Sequence, residues 1–299
     1  MGFSTRHTFA FSVAFILSQA WQASAESLPV WPDLAPGETS RETGTLLPFH
    51  ESESPPISRV TKIRLPTMDI FLPEKPNGTG ILILPGGGFG KVVPDMEGSE
   101  AAPWLNDIGI AVFVLRYRTN EVTPKDEPAW RRPLQDAQRA LRIMHARSDE
   151  WNLDPDRIGV LGFSAGGQVA TILHGDIGPA YEPIDSIDEQ SCRPAFSLLV
   201  YPWKVMNPKT NQLWPHMKLS KKSAPVFIVH THDDASTSLG SVAIYSELKK
   251  AGVSAELHVY ENGGHGYGMR DVENSNIGNW RRAANDWLLR RKLGRTAGH

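Results

Sequence analysis

The stretch Arg157-Ile158-Gly159-Val160-Leu161-Gly162-Phe163-Ser164-Ala165-Gly166-Gly167 constrains the fold more than any other part of the chain. A short apolar run rich in β-branched residues leads into Gly162-Phe163-Ser164-Ala165-Gly166, a Gly-x-Ser-x-Gly sequence, and Gln168 to His174 reads as a helix. Strand, tight turn and helix in that order strain the serine backbone and lift its hydroxyl above a sheet, and a Cβ at the flanking glycines would collide. A helix starting there aims backbone N–H groups at the serine, which favours the negative charge that develops in acyl transfer. The same local pattern occurs in plain strand–helix turns. A nucleophilic Ser164 therefore needs a base, an acid and an oxyanion hole from the rest of the chain.

Strand-like and helix-like segments alternate on both sides of this stretch. Ile81 to Leu84, Ile110 to Leu115, Ser197 to Val200, Val226 to Val229 and Ala255 to Val259 read as buried strands. Ser99 to Asp107 suits a short helix, and Pro133 begins a longer one with Leu134, Ala137, Leu141 and Met144 on one face. Val242, Tyr245 and Leu248 share a face of another, stopped by Gly252, and Ile277, Trp280, Ala284, Trp287 and Leu288 share a face of the last. This spacing predicts an α/β fold: a mostly parallel sheet covered by helices on both faces. Residues 26 to about 60 are rich in Pro, Glu, Ser and Thr and predict an extended arm over the domain; Val60 to Phe71 predicts an antiparallel edge strand or two. There is no internal repeat or interdomain linker, so 26–299 reads as a single domain.

The N-terminus has Arg6 and His7, an apolar run from Phe9 to Ala20, and Ala23-Ser24-Ala25. This pattern predicts a signal peptide over 1–25, cleaved near Ala25, and export to periplasm or medium. The apolar run is short for a transmembrane helix, and no later stretch is long enough to span a bilayer. With 31 Lys and Arg against 33 Asp and Glu and no basic block, nucleic acid is an unsuitable partner. The single Cys192 excludes an internal disulfide and reads as a structural thiol. No cofactor or metal is expected: Lys91 stands where a dinucleotide fingerprint needs its third glycine, and Gly90-Lys91 is followed by Val92, not the Ser or Thr of a P-loop.

In parallel sheets the chemistry gathers at the C-terminal strand ends, and five unusual segments fall there: Gly86 to Gly88, Ser164, Tyr201-Pro202-Trp203, His230 to Asp234 and Gly263-Gly264-His265-Gly266. His265 lies in a loop of little bulk and is the candidate base. Asp233 and Asp234 are both candidate acids. The N–H groups of Gly87, Gly88 and Ala165 are candidate oxyanion donors. Trp203, Trp214 and Tyr267 offer flat faces either to sugar rings or to ordinary packing.

The order Ser, Asp, His, the triple glycine, the Gly-Phe-Ser-Ala-Gly-Gly elbow and Gly-Gly-His-Gly-Tyr-Gly (263–268) resemble the α/β-hydrolase superfamily, in its hormone-sensitive-lipase-like and carbohydrate-esterase branches. Further pieces resemble bacterial exported esterases of the acetylxylan-esterase type: Leu34-Ala35-Pro36-Gly37 after Trp31-Pro32, the Pro85 to Phe89 loop, Asp136-Ala137-Gln138-Arg139-Ala140 and Glu256-Leu257-His258-Val259-Tyr260. The likeness runs through the whole chain after residue 25, with one departure: Pro85 stands where lipase-like relatives usually have a His before the glycines. The resemblance implies an α/β-hydrolase fold and a serine esterase acting on short acyl esters, acetylated polysaccharide foremost, with small non-carbohydrate esters as the alternative. It favours Asp234 over Asp233 as the acid and leaves the oligomeric state open. A reading from another class is a metal-dependent hydrolase. His230-Thr231-His232-Asp233-Asp234 resembles the opening of the metallo-β-lactamase His-x-His-x-Asp-His cluster, with Ala235 in place of the closing His.

Overall fold

The computed structural model describes residues 26–175 and 177–296, so the signal peptide expected over 1–25 lies outside the described residues. Among the described residues twelve strands form: β1 (Glu26–Pro29), β2 (Thr43–Leu46), β3 (Val60–Ile63), β4 (Thr67–Phe71), β5 (Gly80–Leu84), β6 (Ala111–Arg116), β7 (Ile158–Phe163), β8 (Ser197–Val200), β9 (Met206–Asn207), β10 (Gln212–Leu213), β11 (Val226–Thr231) and β12 (Ala255–Tyr260). Eight of them make one sheet in the order β1-β4-β6-β5-β7-β8-β11-β12. From β6 to β12 every neighbouring pair is parallel, while β4 runs antiparallel to β6 and β1 antiparallel to β4.

The central strands are apolar without a break because both their faces are covered. Leu82 and Leu84 of β5 point into one core; Ile81 and Ile83 point into the other. Helices α2 (Arg131–Ala146), α3 (Ser164–His174) and α4 (Leu239–Lys250) fill the first side, and α1 (Ala102–Asp107) and α5 (Trp280–Arg290) fill the second. No helix among the described residues is long and apolar enough to cross a membrane.

Four local expectations are corrected. Helix α2 starts at Arg131, two residues before Pro133, because a first-turn proline gives up an N–H that has no intrahelical partner anyway. Helix α3 starts at Ser164 itself, ahead of Gln168. In α4 the buried face is Ser241, Ile244 and Leu248, and Val242 is 43% exposed. Neither strand of 60–71 is an edge of the main sheet: β3 pairs with β2 outside it, and β1 covers the flank of β4.

Within the segment from 26 to 60, residues 30–38 lie on α2, whose inner face is unusually polar. Trp31 is buried and its Nε1 donates to Asp136 Oδ1 at 2.8 Å; Arg118 Nε donates to the same oxygen at 2.9 Å; Glu38 pairs with Arg132 Nη1 at 2.7 Å. The excursion after α3 adds Asp185 and Asp188, which hold Arg139 and Arg142. Apart from the exposed Asp185, these charges are buried and persist only because each is paired and hydrogen-bonded.

Candidate active site

The five segments at the strand ends meet in space. Strand β7 turns into α3 at Ser164, which has a left-handed φ of +50° and is 7% exposed. Glycine at position 166 is required by packing: a Cβ there would lie 1.9 Å from the carbonyl oxygen of Leu84 at the end of β5. The tight approach leaves the serine hydroxyl above the sheet, at the positive end of the α3 dipole.

Ser164 Oγ lies 2.8 Å from His265 Nε2, and His265 Nδ1 lies 2.6 Å from Asp234 Oδ2. The Asp234 side chain is fully buried and the His265 ring one-third exposed. Burial by itself would push the Asp234 carboxyl up; hydrogen bonds from His230, from His265 and from the Ser236 N–H outweigh it and hold Asp234 well below the usual carboxylate range. An ionised carboxylate only accepts, so His265 Nδ1 carries the proton and Nε2 keeps a lone pair toward Ser164. The neighbouring Asp233 does different work: its carboxylate accepts the N–H groups of Gly263, at 3.2 Å, and Gly264, at 2.9 Å, and so fastens the loop that carries His265.

The glycine loop after β5 runs beside the serine. A Cβ on Gly86 would stand 2.8 Å from Ser164 Cβ and 2.6 Å from Glu97 Oε2. The Gly86 N–H is occupied, donating to Glu97 Oε2 at 2.9 Å. Gly87 and Gly88 follow with φ of +125° and +66°. The Ala165 N–H belongs to the first turn of α3, where helical N–H groups have no intrahelical acceptor.

Trp203 flanks the loop. Its N–H donates to the Ser164 carbonyl at 3.0 Å, its ring edge comes within 4.0 Å of a Cβ placed on Gly88, and Lys204 Nζ sits 3.9 Å from the centre of its ring. Tyr267, which could have faced either a sugar or the core, is 4% exposed and meets Tyr201 edge-on at 4.5 Å, so its ring packs in the core. Trp214 stacks on His216, which stacks on Trp130. In the His230 to Asp234 segment, His230 is buried on Asp234 while His232 is exposed, and no three His, Cys, Asp or Glu side chains among the described residues stand where they could hold a metal ion.

A protein-family model described as BD-FAE matches residues 68–178. An acetylxylan esterase of Xylanibacter ruminicola is 28% identical over 243 residues, 71% of this chain and 47% of that protein. The chain thus spans about half the length of this curated relative. The acetyl ester-xyloside bifunctional hydrolase of Caldicellulosiruptor lactoaceticus, a crystal structure, aligns over 90% of this chain and 97% of its own with 29% identity and a TM-score of 0.66. MGS-M1, an α/β hydrolase from a Medee basin deep-sea metagenome library, aligns over 84% of this chain and 99% of its own at 25% identity, with a TM-score of 0.62. The chain has the α/β-hydrolase fold.

Glu97 and Tyr117, which help to build the site, escaped the sequence reading, and Tyr201 was picked out only by its place at a strand end. Glu97, 3% exposed, accepts the Gly86 N–H with one oxygen and the Tyr201 O–H, at 2.7 Å, with the other. The Tyr201 oxygen in turn accepts the N–H of Gly268 at 2.9 Å, and its ring lies 4.8 Å from that of His265. One buried carboxyl therefore ties the glycine loop to the histidine loop. Tyr117 donates to the Pro85 carbonyl at 2.6 Å, which anchors the loop. The only signal in the sequence was position, since Tyr201 follows β8 directly.

Proposed function

We propose that this chain is a serine carboxylic-ester hydrolase that removes short acyl groups, acetyl foremost, from an acylated polysaccharide such as xylan. The observation that carries this reading is the chain of contacts Ser164 Oγ to His265 Nε2 to Asp234 at 2.8 and 2.6 Å, at the N-terminus of α3. In this mechanism Ser164 Oγ attacks the ester carbonyl carbon and its proton passes to His265 Nε2. Asp234 orients the imidazole and stabilises its positive charge. The tetrahedral oxyanion sits against the N–H groups of Ala165, Gly87 and Gly88. The sugar oxygen leaves with the proton from His265, and water then releases the acid from Ser164 by the same steps in reverse.

The relatives named for acetylxylan esterase and acetyl ester-xyloside hydrolase activity support the acetyl and xylan parts of the proposal. Trp203 beside the loop supplies a flat wall for a sugar or a stop for the acyl chain. We read 26–299 as one domain and the preceding 25 residues as a signal peptide removed on export. The test is release of acetate from acetylated xylan and of nitrophenol from 4-nitrophenyl acetate, by the protein lacking residues 1–25 and by its Ser164→Ala variant, with and without a chelator. Loss of both activities in Ser164→Ala and indifference to chelator support the serine esterase. Retained activity in Ser164→Ala that the chelator abolishes would move the site to the His230 segment. Nitrophenol without acetate from xylan would keep the serine and discard the polysaccharide.

A further inference from the structure

The acid of the site has a second histidine behind it. His230 ends β11 with no exposed surface, its Nε2 lies 2.8 Å from Asp234 Oδ2, and its Nδ1 lies 2.8 Å from Ser241 Oγ on α4. Asp234 Oδ2 therefore faces two imidazoles, His230 from the core side and His265 from the site side, while Oδ1 accepts the Ser236 N–H at 2.6 Å. An ionised carboxylate offers no proton, so the nitrogen of each ring that faces it must be protonated. In a neutral His230 ring the tautomer is then fixed: Nε2 donates to Asp234 and Nδ1 accepts from the Ser241 hydroxyl.

We propose that His230 is a positioning residue for the acid: its Nε2–H holds Asp234 Oδ2 on His265 and, by drawing on the same oxygen, limits how strongly Asp234 raises the basicity of His265. The inference rests on the serine-esterase reading above. Two donors on one oxygen share its charge, so each bond weakens the other. Without His230 the full carboxylate charge falls on His265 and favours its imidazolium. The other titratable groups around the pair are Glu97, Tyr201 and Tyr267, with the exposed His232 and Asp233 beside Asp234, all unchanged in the variants compared. Burial pushes both phenols well above their usual value, so they stay neutral through the assay range, and Glu97 is common to every variant compared.

The experiment is the pH dependence of kcat/KM on 4-nitrophenyl acetate for wild type, His230→Leu, His230→Gln, Ser241→Ala and Ser164→Ala, with a melting curve for each. Removing a hydrogen bond to a charged group should move the acid limb of His230→Leu to higher pH by about one unit and lower kcat about tenfold or more. His230→Gln, which keeps an N–H donor, should return the limb most of the way. A folded His230→Leu whose limb stays at the wild-type position overturns the proposal, since a purely structural role changes melting alone. Should His230→Leu not fold, nitrogen NMR of the wild-type imidazole decides: His230 protonated at Nε2 and bare at Nδ1 supports the proposal, and the opposite tautomer refutes it. Ser164→Ala separates the two levels of inference. Its full activity would sink the triad reading itself, whereas its inactivity beside an unshifted His230→Leu sinks only the role of His230.

Discussion

Glu97 gives the sharpest prediction that links stability to the site. Its two oxygens serve two buried donors, the Gly86 N–H at 2.9 Å and the Tyr201 O–H at 2.7 Å. Glu97→Ala strands both, at about 1–3 kcal/mol each, offset in part because a buried carboxyl no longer needs to be desolvated. A net loss of about 2–4 kcal/mol corresponds, for a domain of this size, to a fall in Tm of roughly 5–12 °C. Glu97→Gln keeps the volume and one acceptor and should lose about 1 kcal/mol, roughly 3 °C. Burial raises the Glu97 carboxyl above its ordinary value of 4.5, against hydrogen bonds from Tyr201 and Gly86 that lower it. The folded chain therefore holds this proton to higher pH than the unfolded chain does. Stability from this group is greatest below the ordinary carboxyl value and is lost as pH rises through the window up to the raised one. Melting curves from pH 4 to pH 8 should show wild type losing ground to Glu97→Gln as pH rises. Glycine-loop donors that drift should cost kcat about 10–100-fold in Glu97→Ala, a fraction of what deleting one oxyanion donor costs. A Glu97→Ala protein that melts within a degree of wild type, or a wild type that gains on Glu97→Gln as pH rises, would refute the reasoning.

Four other substitutions probe separate parts of the account. Gly86→Ala puts a methyl 2.8 Å from Ser164 Cβ and 2.6 Å from Glu97 Oε2, and should cut kcat by about 100-fold, with a modest loss of Tm, in nitrophenyl ester assays. Asp234→Asn removes the negative charge that stabilises the His265 imidazolium and cannot accept from both the imidazoles and the Ser236 N–H, and should lower kcat by about 10³–10⁴ with KM little changed, whereas Asp233→Asn, which only loosens the Gly263-Gly264 turn, should lose about tenfold or less. Asp136→Ala leaves the Nε–H and backbone N–H of the fully buried Arg118 and the Trp31 indole without their acceptor, and should destabilise by about 3–5 kcal/mol in denaturant titrations while the folded fraction keeps its kcat.

What the sequence revealed and what it hid follow from one rule: apolar patterning reports burial, and buried polar residues disguise it. The central strands were legible because both faces are apolar, and α5 because Trp280, Ala284, Trp287 and Leu288 repeat at helical spacing. Helix α4 was misphased because its buried face carries Ser241, whose hydroxyl is used by His230. Glu97 was invisible for the same reason, as an acid reads as surface until its two donors are seen. Strand β1 escaped because Glu26 to Pro29 is an edge with mostly exposed side chains. Ser164, His265 and the Asp233-Asp234 pair could be picked out by motif and chain order, but the division of labour between the two acids could not, since it depends on which carboxylate faces the ring and which faces the backbone of the loop. In the sequence His230 stood out only as part of the strand-end segment and of the metal-cluster reading, and only the fold shows it packed against Asp234.

The central claim is that Ser164 is a nucleophile activated by His265. A fluorophosphonate probe tests it directly, because only an activated serine displaces fluoride and keeps the phosphonyl group. The protein treated with the probe, digested and measured by mass spectrometry, should carry one stoichiometric adduct on the peptide containing Ser164, in step with loss of esterase activity. His265→Ala should label slower by at least about 10³-fold. An adduct elsewhere, or an unlabelled Ser164 in a protein that still hydrolyses the ester, would contradict the account.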